Sequence, residues 1–170
     1  MDDPLGHQGT MILYFLRHGD AIRDPQIHDS ERQLSDFGRQ QATAVGRFLR
    51  VGKTGIEHTL CSPLLRAQQT AAAVLQEIEP IPLHTTEHLT SSSDPRHILR
   101  ELSDLNWETV LRIDHEPHLG TTISVLLAGD ERSRVMMRPC NLACLSAVAS
   151  PEHDKALLQW LTHPEQMLTR

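Results

Sequence analysis

Short, continuous apolar runs alternate along this chain with longer stretches in which apolar residues recur every three or four positions. That is the mark of buried strands alternating with amphipathic helices. Met11-Ile12-Leu13-Tyr14-Phe15-Leu16 is the first run and reads as a strand buried on both faces, ending at the polar tetrad Arg17-His18-Gly19-Asp20. After a charged loop containing Pro25, Ser35 is placed to cap a helix whose apolar positions Phe37, Val45, Phe48 and Leu49 recur at helical intervals up to Gly52. Residues 56–61 predict a second strand, and Ser62-Pro63 then offers an N-cap followed by proline at the first helical position. The helix that follows carries Leu64, Ala67, Ala71, Val74, Leu75 and Ile78 on one face, and Pro80 stops it. Residues 81–84 form a weaker third strand, and Asp94-Pro95 starts a helix through Ile98, Leu99 and Leu102. Residues 109–113 give a strand closing at Asp114-His115, and Pro117 opens a helix carrying Leu119, Ile123, Leu126 and Leu127. Strands at 142–149 and 156–161 flank the turn-like Ser150-Pro151-Glu152-His153-Asp154.

This alternation argues for an α/β domain with a largely parallel sheet. Residues 1–10, MDDPLGHQGT, have no hydrophobic period and read as a flexible leader, leaving residues 11–170 as a single domain. With 16 Lys+Arg against 22 Asp+Glu the net charge is −6, which disfavours a broad cationic surface for nucleic acid or an anionic membrane. No apolar run approaches the ~20 residues needed to span a bilayer. Three cysteines, Cys61, Cys140 and Cys144, suggest no disulfide framework, and the acidic first residues lack the pattern of an export signal. The expectation is a reducing, cytoplasmic setting, with Cys140 and Cys144 as buried thiols.

In open α/β sheets, functional groups gather beyond the carboxyl ends of the strands. Three polar clusters are predicted there: Arg17-His18-Gly19, Ser62-Pro63-x-x-Arg66 and His115-Glu116-Pro117. Two arginines and two histidines converging on one pocket can bind phosphate, because guanidinium groups and helix N-termini both offer donors to phosphoryl oxygens. A neutral imidazole among them can also attack phosphorus, provided that a carbonyl fixes its other nitrogen. His18 is the candidate nucleophile. Arg17, Arg66 and a protonated His115 would supply the charge that phosphoryl transfer needs on its equatorial oxygens. The chain has neither a G-x-x-x-x-G-K loop nor a carboxylate cluster arranged for Mg²⁺, so the chemistry is expected to need no metal and no cofactor. Arg66 would sit in the first turn of its helix, where the macrodipole disfavours a cation, and that placement asks for an anion.

These segments resemble the histidine phosphatase superfamily, with its phosphoglycerate-mutase-like fold, and most closely its SixA-type phosphohistidine phosphatases. Four stretches carry the resemblance: Leu16-Arg17-His18-Gly19-Asp20-Ala21, Arg32-Gln33-Leu34-Ser35-Asp36-Phe37-Gly38, Ser62-Pro63-Leu64-Leu65-Arg66-Ala67-Gln68-Gln69-Thr70-Ala71 and His115-Glu116-Pro117-His118-Leu119-Gly120. Their order is more specific than any one alone. The resemblance implies a three-layer sandwich, a mostly parallel central sheet flanked by helices. It also implies that His18 is transiently phosphorylated, that Arg17, Arg66 and His115 form the phosphate pocket, and that water releases phosphate.

The short interval between Arg66 and His115 leaves little room for the cap of larger mutase-like members, so an open pocket is expected. Such a pocket suits a phosphohistidine on another protein, for instance a histidine phosphotransfer domain, and disfavours mutase chemistry, which calls for a closed site. The alternatives are a small-molecule phosphomonoester phosphatase and a non-catalytic phosphate-binding or phosphoprotein-binding module. For the general acid, Glu87 lies where mutase-like members carry a proton-donating Glu, Asp20 is a rival, and an N–P bond lessens the need for any. Asp114 stands where the family commonly has Gly or Ser; its charge would raise the pKa of His115 if the two faced one another, but neighbours in an extended strand point to opposite sides. His118 reads as structural, Arg32 as structural or at the rim, and Gly38 as a packing residue.

Overall fold

In the computed structural model, which describes residues 10–105, 107–133, 135–148 and 156–167, the apolar runs become the strands of one sheet. β1 (Thr10–Arg17), β2 (His58–Cys61), β3 (Leu83–Thr85) and β4 (Thr109–Asp114) run parallel, whereas β5 (Leu142–Val148) and β6 (Ala156–Thr162) are antiparallel to their neighbours. The order is β3-β2-β4-β1-β5-β6, so β1 and β4 lie at the centre.

Both faces of the sheet are covered, which is why the central strands are apolar at successive positions rather than alternately. Leu13 and Phe15 of β1 join Leu60 and Val110 under α3 (Pro95–Asp104) and α4 (His118–Ala128). Tyr14 and Leu16 face the other way, with Leu111 and Ile113, onto α1 (Asp36–Val51) and α2 (Leu65–Leu75). The result is the three-layer sandwich expected, with no large insertion among the described residues. Among the described residues no helix is long and apolar enough to cross a membrane.

Ser35 caps α1 as its sequence suggests, its hydroxyl accepting from Gly38 N–H at 3.0 Å. Ser62 does not cap α2. It is buried, the helix starts at Leu65 after an uncapped Leu64, and the Ser62 hydroxyl is taken by His115. The same helix stops at Leu75 rather than at Pro80, and Glu77 beyond it pairs with Arg47 and Arg50 of α1. Phe37 follows the helical period yet is 52 % exposed, because it sits in the first turn of α1, outside the stripe that packs on the sheet. Two 3-10 turns, Asp29–Glu31 and Glu87–Leu89, and the four-residue α5 (Pro164–Met167) have no periodic signal in the sequence. The proposed leader apart from Thr10, and the turn at 150–154, lie outside the described residues.

The start of α1 meets the loop after β1 backbone to backbone. A Cβ on Gly38 would lie 2.0 Å from the Asp20 carbonyl oxygen, and one on Gly19 would lie 2.7 Å from the Gly38 carbonyl oxygen. Two glycines thus let the helix press the 18–20 turn into place. Gly38→Ala is therefore expected to cost about 1–3 kcal/mol in urea unfolding, the range of a forced overpacking, and to lower activity with it. Gly52→Ala, at an αR position with its nearest neighbour at 3.3 Å, is expected to change stability by less than about 0.5 kcal/mol.

Candidate active site

β1, β2 and β4 end side by side, with Arg17 opposite Asp114 and Cys61 opposite Ile113. The next residue of each, His18, Ser62 and His115, therefore emerges at one edge of the sheet. Ladder-like bonds carry the register past the strand ends: His18 N–H donates to the Asp114 carbonyl at 2.9 Å, and Ser62 N–H to the Ile113 carbonyl at 3.1 Å. Cys140 N–H, from the segment leading into β5, donates to the carbonyls of Arg17 and His18.

His18 is buried, and its Nδ1 lies 2.7 Å from the Gly19 carbonyl oxygen. A carbonyl only accepts, so Nδ1 carries the hydrogen and Nε2 keeps its lone pair. Arg66 Nε donates to that lone pair at 3.2 Å. Burial, followed by the charges of Arg66, His115 and Arg17, pushes the imidazole pKa down to about 3, against the contrary pull of the Gly19 carbonyl. His18 is therefore neutral near pH 7, with Nε2 facing a guanidinium.

Arg66 is the second residue of α2 and is itself buried. The anion that its place on the helix dipole asks for is supplied by the chain. Its Nη1 donates to the Asp29 carbonyl at 2.6 Å and its Nη2 to Asp29 Oδ2 at 3.0 Å. Partial burial would raise the Asp29 carboxyl, but Arg66 and Arg32 outweigh it and hold it below the ordinary value. Arg32 is thus a rim residue, bound to Asp29 and to the Ile22 carbonyl. Thr70, one turn along α2, ties the helix to the loop by accepting from Gly19 N–H while donating to the Arg66 carbonyl. Arg17 reaches the site from the other side. Its Nη1 donates to the Met137 carbonyl at 2.8 Å, and Met137 N–H in turn donates to Glu116 Oε1.

The His115 ring centre lies 5.7 Å from that of His18. Its Nε2 is within 2.8 Å of the Leu89 carbonyl and 2.9 Å of Ser62 Oγ. Burial lowers its pKa, Asp114 opposes, Arg66 lowers it further, and the net is below the ordinary value. In the free protein His115 is therefore neutral near pH 7, and the protonated form expected from the sequence is not the resting one. The expectation that Asp114 and His115 point apart also fails. β4 ends at Asp114, the chain turns there, and Asp114 Oδ1 comes within 3.5 Å of His115 Nε2.

The four residues Arg17, His18, Arg66 and His115 are thus brought together. Glu87 stands exposed on the 3-10 turn whose last residue, Leu89, meets His115, while Asp20 Oδ2 accepts from Ser35 Oγ at 2.6 Å at the start of α1. Residues not singled out from the sequence are Asp29, Thr70 and Arg112. An Arg and an Asp two apart on one face of an otherwise apolar strand were the available signal for a buried ion pair. Among the described residues, no three His, Cys, Asp or Glu side chains are grouped to hold a metal ion.

The sequence pattern of the histidine phosphatase superfamily (branch 1) matches residues 13–92. Phosphohistidine phosphatase SixA of Escherichia coli K12 is 32% identical over 124 residues, 71% of this chain and 76% of that protein. The chain belongs to the histidine phosphatase superfamily. It is SixA-like in fold as well: the structure of the protein histidine phosphatase SixA complexed with tungstate superimposes with a TM-score of 0.83 at 27% identity, over 92% of this chain and 99% of that one. An alpha-ribazole phosphatase from Shigella flexneri shares the fold at a TM-score of 0.72 and 18% identity, over 91% and 97% of the two chains. As a histidine phosphatase superfamily member the protein is a phosphatase, and the binding-only reading falls away.

A neutral, buried His18 ties stability to pH. Between its ordinary value of 6.5 and about 3, the unfolded chain binds a proton that the folded imidazole does not. Stability should accordingly fall as pH drops through that window, by up to about 1.4 kcal/mol per pH unit from this group. Urea unfolding from pH 7 to 4 is expected to show a shallower decline for His18→Asn than for the natural protein. Equal slopes would mean that His18 titrates normally in the fold.

Proposed function

We propose that this phosphatase removes phosphate from phosphohistidine on another protein through a phosphorylated His18. One observation carries the reading: His18 Nδ1 is committed to the Gly19 carbonyl while Nε2 faces Arg66. Nε2 attacks phosphorus, the bond from phosphorus to the substrate imidazole breaks, and that imidazole takes up a proton as it leaves. Water then attacks phospho-His18, releasing phosphate and restoring the neutral ring. Arg17, Arg66 and His115 hold the oxygens in both steps, the place that Mg²⁺ takes in kinases. Arg66 is presented with its Nη atoms on Asp29, so an arriving phosphoryl group exchanges with that carboxylate for the guanidinium.

The relatives, the open site and the leaving-group chemistry support a protein substrate. A relative carries the name phosphohistidine phosphatase, and the related SixA binds tungstate, a tetrahedral oxyanion like phosphate. Among the described residues no large insertion covers the site, and Arg17 opens on a cleft lined by Glu116, Pro117, Gly120, Thr121 and the exposed Met136. Exposed Ile22, Ile27 and Phe37 follow the same strand end in sequence. An imidazole leaving group needs a weaker acid than an alkoxide does, which suits a site where Glu87 is exposed and Asp20 is bonded to Ser35. The three cysteines are free and buried, in keeping with a cytoplasmic partner such as a phosphotransfer domain.

Acid-quenched samples would lose a phosphorylated histidine, so trapping is done in alkali. A phosphoryl group that is alkali-stable, acid-labile and located on His18 is expected in the natural protein and absent from His18→Ala. Arg66→Ala is expected to lower kcat/KM by about 10²–10³, the range for removing one donor to a developing oxyanion. A phosphorylated phosphotransfer domain should turn over faster than soluble phosphomonoesters; the reverse ranking would assign the enzyme to small molecules.

A further inference from the structure

Directly behind His115 lies a set of charged side chains that the reaction above does not use. Arg112, Asp114 and His118 are all buried, on β4 and the first residue of α4. Asp114 Oδ2 accepts from Arg112 Nη2 at 2.5 Å and from His118 Nδ1 at 2.6 Å. Arg112 Nη2 also reaches Thr122 Oγ1, and its guanidinium lies over the Phe15 ring at 5.2 Å. One oxygen of this carboxylate is saturated; the other, Oδ1, is buried without a hydrogen-bond partner and is directed at His115 Nε2, 3.5 Å away. Leaving a buried carboxylate oxygen unpaired is costly, so its persistence beside an imidazole calls for an explanation.

The geometry points to Asp114 as a positioning residue: an internal counter-ion, held by Arg112 and His118, that lets His115 take up a proton when a phosphoryl group enters the pocket. This rests on the phosphoryl-binding reading of the site and adds to it. In the free protein three acceptors, the Leu89 carbonyl, Ser62 Oγ and Asp114 Oδ1, crowd His115 Nε2, so the ring hydrogen sits there. Nδ1 is buried without a partner and is where a second proton goes. The groups facing His115 are Asp114 from β4, His18 beyond β1, Arg66 from α2 and His118 from α4, with the neutral Ser62 hydroxyl and Leu89 carbonyl beside them. Of these charged or titratable groups, only Asp114 favours the imidazolium. An incoming dianion adds negative charge on the opposite side, and the ring then lies between two anions.

Burial alone would raise the Asp114 carboxyl, but Arg112 and His118 outweigh it, so the carboxylate is ionised and available. Removing His118 as a donor leaves more of that negative charge for His115, whereas removing the carboxylate leaves none. The two changes should act in opposite directions, which a merely structural role for the cluster would not produce.

The test is calorimetric binding of tungstate and of inorganic phosphate in buffers of different ionisation heat, which counts protons taken up, together with pH profiles of kcat/KM. The natural protein is expected to take up a proton on binding near pH 7.5. Asp114→Asn should abolish most of that uptake and move the basic limb of the profile down by about one pH unit, a tenfold loss above it. His118→Phe should move the limb up. If Asp114→Asn does not fold, the double variant Arg112→Met with Asp114→Leu removes both charges together and should show the same loss of uptake. Unchanged uptake and an unmoved limb in a folded variant without the carboxylate would overturn the inference. Failure of the natural protein to bind either oxyanion would instead overturn the reading of the site.

Discussion

The contact on which the site depends is one hydrogen bond, from His18 Nδ1 to the carbonyl of the next residue. It selects the tautomer, and the tautomer decides which nitrogen keeps its lone pair. A side chain bonded to its neighbour's backbone is only as fixed as that backbone, and here the fixing is done by close packing. Gly19 touches Gly38, Thr70 holds the Gly19 amide, and the His18 amide continues the β1–β4 ladder. The His18 ring is therefore oriented by the sheet, by α1 and by α2 together.

Charge around this imidazole is arranged against ordinary helix electrostatics. A cation in the first turn of α2 is unfavourable alone, and it is tolerated because an anion completes it. In the resting protein that anion is Asp29, which a substrate phosphoryl group resembles in charge and in its oxygen acceptors. The guanidinium is thus kept oriented and paired in the resting protein by a side chain that is itself largely exposed.

Behind the pocket, the protein holds a buried ion pair between Arg112 and Asp114. Such a pair seldom adds stability, since the cost of taking both charges from water offsets much of their attraction. Its position, one residue before His115, gives it a use in setting charge rather than in holding the fold. Covered sheet faces make this possible, because a carboxylate in water would be screened too strongly to matter to its neighbour.

The sequence by itself determined the layering and the family. Apolar runs that do not alternate require a sheet covered on both sides, and Arg17 and His18 at the end of β1, Arg66 in the first turn of α2 and His115 after β4 lie where parallel strands bring their carboxyl ends together. What it left undecided has a common physical origin in short or non-local contacts. The 3-10 turn that brings Asp29 to Arg66 has no period to read, and Ser62 looked like a cap because nothing local reveals that a histidine far along the chain takes its hydroxyl. Alternation along a strand separated Asp114 from His115 on paper; the turn at the end of β4 put them side by side. Residue type and spacing are local properties, whereas the resting protonation of His115 follows from burial and from charges on three separate elements, β4, α2 and α4, and only the tertiary structure sets those.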